Sequence, residues 1–587
     1  MFCVFTQSKL INRRYKLKQR SKFRIATKDI AIFLFPFKGF LKPRSVSGYS
    51  KCSFRNFFLV FILLFVISSV SYAQFLQEWV SVYDRGYDEA SVITNDDNFI
   101  YQAGTASDSV LGASVVVMKY NKSGAMIWDF RYTNYGDIIP RKIIVDKTGN
   151  VYITCVKSKP MLYDNDIYTF KLNPAGSLKW ITMFSLDSNS NDGPKSMFVD
   201  ALGNVFVTGT CGHNSDMKVL TIKYNSQGRQ QWFSVFNSTP YEMYDSGFDI
   251  LTDVNGNAYV AAQCGGFGTN ADAVLLKYNT EGGLVWYKRI DHNGSGDLYE
   301  KMVIDASSRI YIVGYSFGSS LLTIYNTNGD LLKLTRYIPN GGNNFFLTDC
   351  KLDKWNNLYA SGKINYPAND DDMAVIKYDQ QGNVLWSKSY DCGLGMEDYS
   401  TGLAVDRLGN CFITGSSKVG NPFYYVVRTL SYDGNGTQKW VATYGGFDSL
   451  CRSKGIVVDS ASSIYVTCSS TNNTMHTGQD IVLIKYSVLA GINPGNNTTP
   501  SNYSLHQNRP NPFNPVTKIK FEVAKQGFVS INVFDIAGRE VKSLVNNNYQ
   551  PGMYEVSFDG SGLSSGVYFY RMISGDFLGI KRMILLK

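Results

Sequence analysis

The sequence predicts an all-β protein: an eight-bladed β-propeller followed by a small Ig-like β-sandwich. Three observations predict it. A phrase built on Asp-x-x-Gly-Asn returns about every 52 residues. A second phrase, ending in Trp, keeps the same beat. The repeat stops near residue 487, and after a linker a different alternating pattern takes over. Composition agrees, with 14% aromatic residues, 18% charged residues and 52 Gly, as strands joined by tight turns require.

Residues 1–73 read as a basic leader and signal peptide. Residues 1–56 carry 14 Lys and Arg against one acid, Asp29. The formal charge of +10 for the whole chain therefore resides in the leader, and the remainder, with 44 basic and 47 acidic residues, is −3. That balance excludes a nucleic-acid partner for the body of the chain. The apolar run Phe57–Ile67 has the length of a signal-peptide core and is short for a membrane span. Ser71 and Ala73 place small residues at −3 and −1, so cleavage is expected between Ala73 and Gln74. The alternative is an uncleaved anchor from Phe57 to Ala73. The basic region is long for a signal, which a later, non-ATG start would explain, since no Met stands between Met1 and Met118.

Residues 74–487 hold eight repeats. The first phrase reads Asp146-Lys-Thr-Gly-Asn150, Asp200-Ala-Leu-Gly-Asn204, Asp253-Val-Asn-Gly-Asn257 and Asp406-Arg-Leu-Gly-Asn410. Degenerate copies stand at Asp305–Arg309, Asp353–Asn357 and Asp459–Ser463, and the weakest is Thr94–Asn98. The second phrase is Lys-Tyr-Asn/Asp, a Gly four residues after the Tyr and a Trp four after that, as in Lys223-Tyr224-Asn225…Gly228…Trp232. Trp falls at 79, 128, 180, 232, 286, 386 and 440, and unit five has Lys333 instead.

Each unit reads as four short strands, a to d, with Gly-Asn and Asn-x-x-Gly turns as hairpin signals. In unit three these are Ser196–Val199, Val205–Thr208, Val219–Tyr224 and a strand around Trp232. The Asp that opens the first turn accepts turn N–H groups, so its recurrence needs no metal. Strand b carries a bulky series, Ile100, Tyr152, Phe206, Tyr259, Tyr311, Tyr359, Phe412 and Tyr465. Three residues on, a small series runs Ala103, Cys155, Gly209, Ala262, Gly314, Gly362, Gly415 and Cys468. The odd offset puts the two series on opposite faces, which suits radially stacked blades with the small face admitting a neighbouring sheet.

The ends of the repeat fit one another. Unit eight lacks a Trp strand, and the chain begins with an unmatched one at Gln77–Ser81. That strand is expected to complete the last blade and remove two open edges. Blade five, lacking its Trp, is expected to be the loosest. These phrases resemble the beta-propeller repeat family of secreted bacterial proteins, over residues 79–487. The resemblance speaks for fold and not for activity.

Residues 488–502 contain no charge and no aromatic ring and read as a linker. In 503–587, Ile519, Phe521 and Val523 alternate with Lys518, Lys520 and Glu522, and Val529, Ile531 and Val533 alternate with polar residues. With Tyr554–Phe558, Val567–Ile573, Gly579–Leu586 and Arg539–Val545 this makes about six strands, the pattern of a small sandwich. Four motifs stand in order: Asn511-Pro512-Phe513-Asn514-Pro515, a Val533–Val541 stretch with Asp535, Gly538 and Arg539, Gly562–Arg571 with Gly566 and Tyr568, and the terminal Lys581–Lys587. They resemble the type A sorting domain of type IX secretion cargo. The resemblance implies export with a signal peptide, interaction with the type IX secretion machinery, and a secreted or outer-surface protein.

Motifs for chemistry are weak. Gly562-Leu-Ser564-Ser-Gly566 fits a nucleophile-elbow pattern, but no helix is expected after it. His213, His292, His476 and His506 lack metal-ligand spacing or an evident carboxylate partner. Asp253-Val-Asn255-Gly-Asn257 has calcium-loop alternation without the later acid, on a repeat turn. Cys155 and Cys468 fall in the packing series, Cys211 and Cys264 two residues beyond it, and Cys392 and Cys451 in connections from strand d to strand a. No catalytic residue, cofactor or metal is assigned. The expectation is a non-enzymatic binding or scaffold protein for a glycan, polymer or protein ligand. Connections between strands b and c are its expected site, Gln263–Asn270 and Tyr163–Asp166 among them. The alternative is a propeller enzyme, quinoprotein dehydrogenase-like or carbohydrate-active.

Overall fold

The computed structural model describes residues 75–488 and 502–587, except 109–111, 135, 160–163, 214–215, 239–243, 267–268, 367–370, 393–395, 421–422, 446–449, 472–477, 526 and 550–551. The leader with Ala73 and Gln74, and linker residues 489–501, lie outside the described residues.

Eight four-stranded antiparallel sheets form the propeller. The first seven span 88–132, 138–184, 193–236, 246–290, 297–337, 343–390 and 398–444, each in the order a-b-c-d. The eighth combines Cys451–Val458, Ile464–Thr471 and Gln479–Val488 with the N-terminal strand Phe75–Tyr83. Trp79 pairs with Lys485, the register in which Trp128 meets Lys119 and Trp232 meets Lys223. The first strand thus takes the missing place in the last blade. Cys451 lies in strand a of that blade rather than in a connection.

Apolar cores sit between successive blades. Tyr152 of blade 2, for example, packs with Val205, Val207 and Ile222 of blade 3. Strands b and c, buried on both faces, supply most of each core, while strand d is the more exposed outer strand.

The structure corrects the alignment of unit one. Its first turn is one residue shorter: Asp96 N–H bonds Phe99 O, whereas Asp146 N–H bonds Asn150 O. Tyr101, not Ile100, therefore pairs with Lys119 as Tyr152 pairs with Lys171, and Gly104, not Ala103, heads the small series. The ring series is aromatic in all eight blades.

The small series has a further cause beside the expected one. Strand a has a β-bulge in every blade, opposite this position. A β-carbon on Gly104, Gly209, Gly314, Gly362 or Gly415 would collide first with a strand-a carbonyl of the same blade, and on Gly104 and Gly415 also with Ile481 and Met373 of the preceding blade. The other three blades use Ala262, Cys155 and Cys468 there.

The Trp phrase is a clasp between blades. Gly124, Gly176, Gly228, Gly282 and Gly436 adopt φ between 77° and 85°, a turn conformation that glycine favours. Each also faces the indole of the preceding blade, which a β-carbon would approach to 2.6–2.8 Å. One carbonyl beside that Gly receives two donors from the preceding blade. Thr280 O accepts Trp232 Nε1 at 2.9 Å and Lys223 Nζ at 3.2 Å; Gly434 O accepts Trp386 Nε1 at 3.1 Å and Lys377 Nζ at 3.0 Å. The motif lysines also lie over the strand-b rings, Lys377 being 4.7 Å from the Tyr359 centroid.

Blade 5 rebuilds this clasp without Trp. The equivalent carbonyl, Gln380 O, accepts Arg309 Nη1 at 3.1 Å and Tyr311 OH at 3.1 Å. Arg309 replaces the Asn that ends the turn in other blades and is also paired with Asp305 at 2.7 Å.

The C-terminal sandwich packs a sheet of Ser504–Leu505, Val516–Val523 and Gly552–Asp559 against one of Glu540–Tyr549, Gly527–Phe534, Gly566–Ser574 and Phe577–Leu585. Ile519, Phe521, Val523, Val529, Ile531 and Val533 all face its core. The short opening strand raises the expected six strands to seven.

Candidate functional site: the central channel and the sorting motifs

The motif residues are occupied by architecture. Asp253 Oδ1 accepts the Asn255 and Asn257 N–H groups at 3.0 Å each, and Oδ2 accepts Asn257 Nδ2 and Tyr259 OH. Its oxygens serve the turn, so the calcium-loop alternation there has a structural explanation. Function must be sought where blades differ.

Strand a of all eight blades lines a central channel, a cavity of about 650 Å³. The residue after each bulge occupies one level: Val92, Lys142, Ser196, Asp249, Lys301, Asp349, Gly402 and Gly455. Charge is confined to one arc of this ring. Asp249 Oδ1 accepts Ser196 Oγ at 2.6 Å and Lys301 Nζ at 3.3 Å, and its Oδ2 accepts the Met302 N–H at 3.0 Å. Asp349 accepts Lys351 Nζ at 3.1 Å and the Leu403 N–H of the next blade at 3.1 Å.

The electrostatics are uneven. Burial by itself would raise the Asp249 carboxyl, but Lys301 and Lys142 outweigh it and hold it below the usual carboxylate range. Burial would likewise lower Lys301, and Asp249 and Asp349 hold it above the usual ammonium value. Lys142 makes no ion pair among the described residues. The like charge of Lys301, followed by burial, brings its ammonium down to about 8. In the bulge of blade 5, burial pushes the Glu300 carboxyl up to about 7 against the pull of Lys301 and Lys195. Lys142, a group with displaced titration lining a cavity, marks a candidate site. Chemically, the arc offers an under-compensated ammonium to an anion.

None of these channel residues stood out in the sequence. A signal existed: with the turn used as origin, the same strand-a place reads Lys, Ser, Asp, Lys, Asp, Gly, Gly from blade 2 to blade 8. The expected b–c connections lie on one face together with the d–a connections, to which they bond, as in Ser158 N–H to Asp137 O and Asn191 N–H to Gly212 O. Of the two stretches named from sequence, 163 and 267–268 lie outside the described residues. Asp164 is buried and paired with Lys159 at 2.7 Å. Exposed rings on this face belong to Tyr87, Tyr244, Phe317 and Phe423.

The histidines need a correction. His213 Nε2 stands 3.0 Å from Asp187 Oδ2, and His506 Nε2 stands 2.8 Å from Glu522 Oε1. Both have carboxylate partners, contrary to expectation, and both lie well exposed. His292 faces the Phe317 ring at 5.7 Å, and His476 lies outside the described residues. Cys155, Cys211, Cys264, Cys350, Cys411 and Cys468 are buried thiols.

The sorting motifs tie the ends of the sandwich together. Phe513 is buried against Phe558, with centroids 5.7 Å apart. Its N–H bonds Ile584 O at 2.9 Å and its carbonyl accepts the Leu586 N–H at 2.9 Å. Asn511 Oδ1 accepts the Ile584 N–H at 2.9 Å. Pro512, Asn514 and Pro515 are exposed, and Pro515 O accepts the Gly560 N–H. Asp535, Gly538 and Arg539 form the same turn as the propeller phrase. Asp535 Oδ1 accepts the Ala537 and Arg539 N–H groups, and Gly538 has φ 78°. Gly566 begins a strand, and Tyr568 OH donates to Ser564 O at 2.8 Å. Ser564 therefore sits in a turn that a strand follows, not a helix. Lys587 N–H reaches Ser565 Oγ at 2.9 Å.

Residues 509–586 match the secretion system C-terminal sorting domain, and residues 393–424 match the beta-propeller repeat. No curated protein matches. Among solved structures the chain is similar to a protein of unknown function from Bacteroides caccae, with 12% identity, 53% of this chain and 96% of that chain covered, and a TM-score of 0.30. It is similar to the beta-propeller domain of the Trilobed protease from Pyrococcus furiosus, with 9% identity, 62% and 95% covered, and a TM-score of 0.35. It is also similar to a polysaccharide lyase of family PL25, an ulvan lyase, with 11% identity, 70% and 95% covered, and a TM-score of 0.38. The chain is a beta-propeller repeat protein with a C-terminal sorting domain of the type IX system, secreted or held at the cell surface. The sorting domain implies interaction with that machinery.

Proposed function

We propose that the propeller is a non-catalytic binding module that takes an anionic group of an extracellular glycan, polymer or protein at its central channel. The observation that carries this reading is Lys142. It shares one level of the channel with Lys301, whose charge is already answered by Asp249, and it has no ion pair of its own among the described residues. A bound carboxylate or sulfate would complete the arc. The exposed rings of Tyr87, Tyr244, Phe317 and Phe423 offer stacking surfaces on one propeller face for the rest of such a ligand.

The test is a binding array on the mature secreted chain, with uronate-bearing, sulfated and neutral glycans beside matrix proteins. Retention of an acidic class, weakened roughly tenfold or more by Lys142→Met, supports the reading. Equal binding of neutral and acidic ligands, or none, defeats it. A quinone absorbance in the purified chain, or depolymerisation of a bound glycan, would replace it with an enzyme.

A further inference from the structure

Two seams between blades gather carboxylates in a way the repeat does not require. Asp272 lies in strand c of blade 4, Asp291 follows strand d of that blade, and Asp297 opens strand a of blade 5. One oxygen from each lies within 4.8 Å of the others. Asp272 and Asp297 are both fully buried, and Oδ1 of each has no hydrogen-bond partner. Their other oxygens are engaged. Asp297 Oδ2 accepts the His292 N–H at 2.7 Å, and Asp272 Oδ2 is held by the Arg289 guanidinium. Three carboxylates thus gather about one guanidinium, and two of their buried oxygens have no hydrogen bond. Such an arrangement is costly unless a positive charge enters it.

The pattern returns two blades later. Asp391, Cys392 and Asp398 each offer an atom within 4.8 Å of the others. Asp372 stands in strand c of blade 6 at the place of Asp272 in blade 4. Asp398 is fully buried, with its Oδ2 on the Cys392 N–H at 2.9 Å. Burial, then Asp391 and Asp398, push the Asp372 carboxyl up to about 6, as uncompensated negative charge does.

Other seams supply an internal contrast. Asp245 opens strand a of blade 4 as Asp297 opens that of blade 5, but strand c of blade 3 carries Lys218 where blade 4 has Asp272. There both Asp245 oxygens are satisfied: Oδ2 accepts the Ser238 N–H at 2.9 Å, and Oδ1 accepts the Gly265 N–H at 2.8 Å. Between blades 2 and 3 a carboxylate pair does occur, and Lys159 bridges it, 2.7 Å from Asp164 and 3.3 Å from Asp166. Asp88 and Asp192, which stand at the same place in blades 1 and 3, also leave Oδ1 without a hydrogen bond. What sets the 4/5 and 6/7 seams apart among the described residues is that each brings three ligand groups within 4.8 Å of one another.

We propose that each of these two seams binds a calcium ion, through Asp272, Asp291 and Asp297 in one and Asp391 and Asp398 in the other. Hard carboxylate oxygens, with loop carbonyls and water to complete a flexible shell, suit calcium better than the strict octahedron of magnesium. Each ion would tie the connection leaving one blade to the first strand of the next. An extracellular propeller meets the millimolar calcium that such modest sites need.

The test is a calcium titration by calorimetry on the full secreted chain after chelator treatment, with thermal unfolding in parallel. We expect saturable binding of at least two ions and an upward shift of the melting temperature. Asp297→Asn and Asp398→Asn should each remove one ion, and the double variant two, with the β spectrum retained. Asp166→Asn, beside Lys159, should leave the stoichiometry unchanged. Absence of saturable binding at 1 mM calcium, unchanged stoichiometry in both variants, or melting that calcium does not move would overturn the proposal. A gain in stability by the variants in chelator alone, without calcium binding by the wild type, would mean that each seam is held by a shared proton instead.

Discussion

Trp79 and Gly124 lock the ring: the indole of the first strand lies on a glycine of blade 1, where a β-carbon would come within 2.8 Å of it. Trp79 belongs by hydrogen bonding to blade 8, so this contact joins the last blade to the first. Its Nε1 donates to Lys122 O at 3.2 Å, and Lys485 Nζ reaches the same oxygen at 3.3 Å. Closure therefore uses the same clasp as the other seams.

Trp79→Ala should destabilise the propeller by about 2–4 kcal/mol, somewhat below the loss for a fully buried aromatic ring because Trp79 is partly buried. Gly124→Val should match or exceed it, since the added carbons meet both the ring and a positive φ. Urea unfolding followed by tryptophan fluorescence measures both. A loss below about 1 kcal/mol in each would mean that the closing seam is not under tension.

Arg309 should matter more than its place in a turn suggests. Arg309→Asn restores the commoner repeat residue yet should destabilise by about 2 kcal/mol, because the clasp on Gln380 O loses a charged donor that no Trp replaces. Hydrogen exchange should then rise first at the seam of blades 5 and 6.

Binding of an acidic ligand in the channel should strengthen from pH 9 to pH 6. Lys142, facing Lys301, Asp249, Lys351 and Asp349, gains its proton as pH falls through about 8. Glu300, facing Lys301, Lys195 and Asp249, loses its charge through about 7. Both changes make the channel more positive. Stability runs by its own signs. The raised Glu300 stabilises more as pH falls below about 7, and the lowered Lys142 stabilises more as pH rises above about 8. Calorimetry at fixed ionic strength should show Lys142→Met flattening the upper part of the binding profile and Glu300→Gln the lower.

Phe513→Ala should lower the melting of the C-terminal sandwich by an amount corresponding to about 3–5 kcal/mol and leave the propeller transition in place. Secreted protein should fall, with the chain retained in the periplasm. Normal secretion with a demonstrably unfolded sandwich would show that linear motifs suffice for sorting.

Much of the fold was legible because its causes are local. Asp146, Gly149 and Asn150 make their turn with one another, so their spacing survives in every good copy. The Trp phrase was legible as a beat but not as a clasp, because Trp180 and Gly228 belong to different blades and meet only after stacking. Unit one was misread by one residue because a shortened turn moves the ring from Ile100 to Tyr101, and only strand pairing restores the count. The channel was illegible as a site. Lys142 and Asp249 are more than a hundred residues apart and unremarkable in their own strands, and their shared level is created by closing the ring.

By itself the sequence determined the all-β class, the eight units, the strand that closes the ring and the two-part organisation with a sorting domain. Each depends on patterns within one repeat or one motif, where turn chemistry and side-chain alternation act over a few residues. Tertiary structure alone decided what further keeps the small residues small, how blade 5 survives without its Trp, and which charges share the channel or the seams. Those follow from distances between blades, and electrostatic and packing terms depend on proximity in space rather than along the chain.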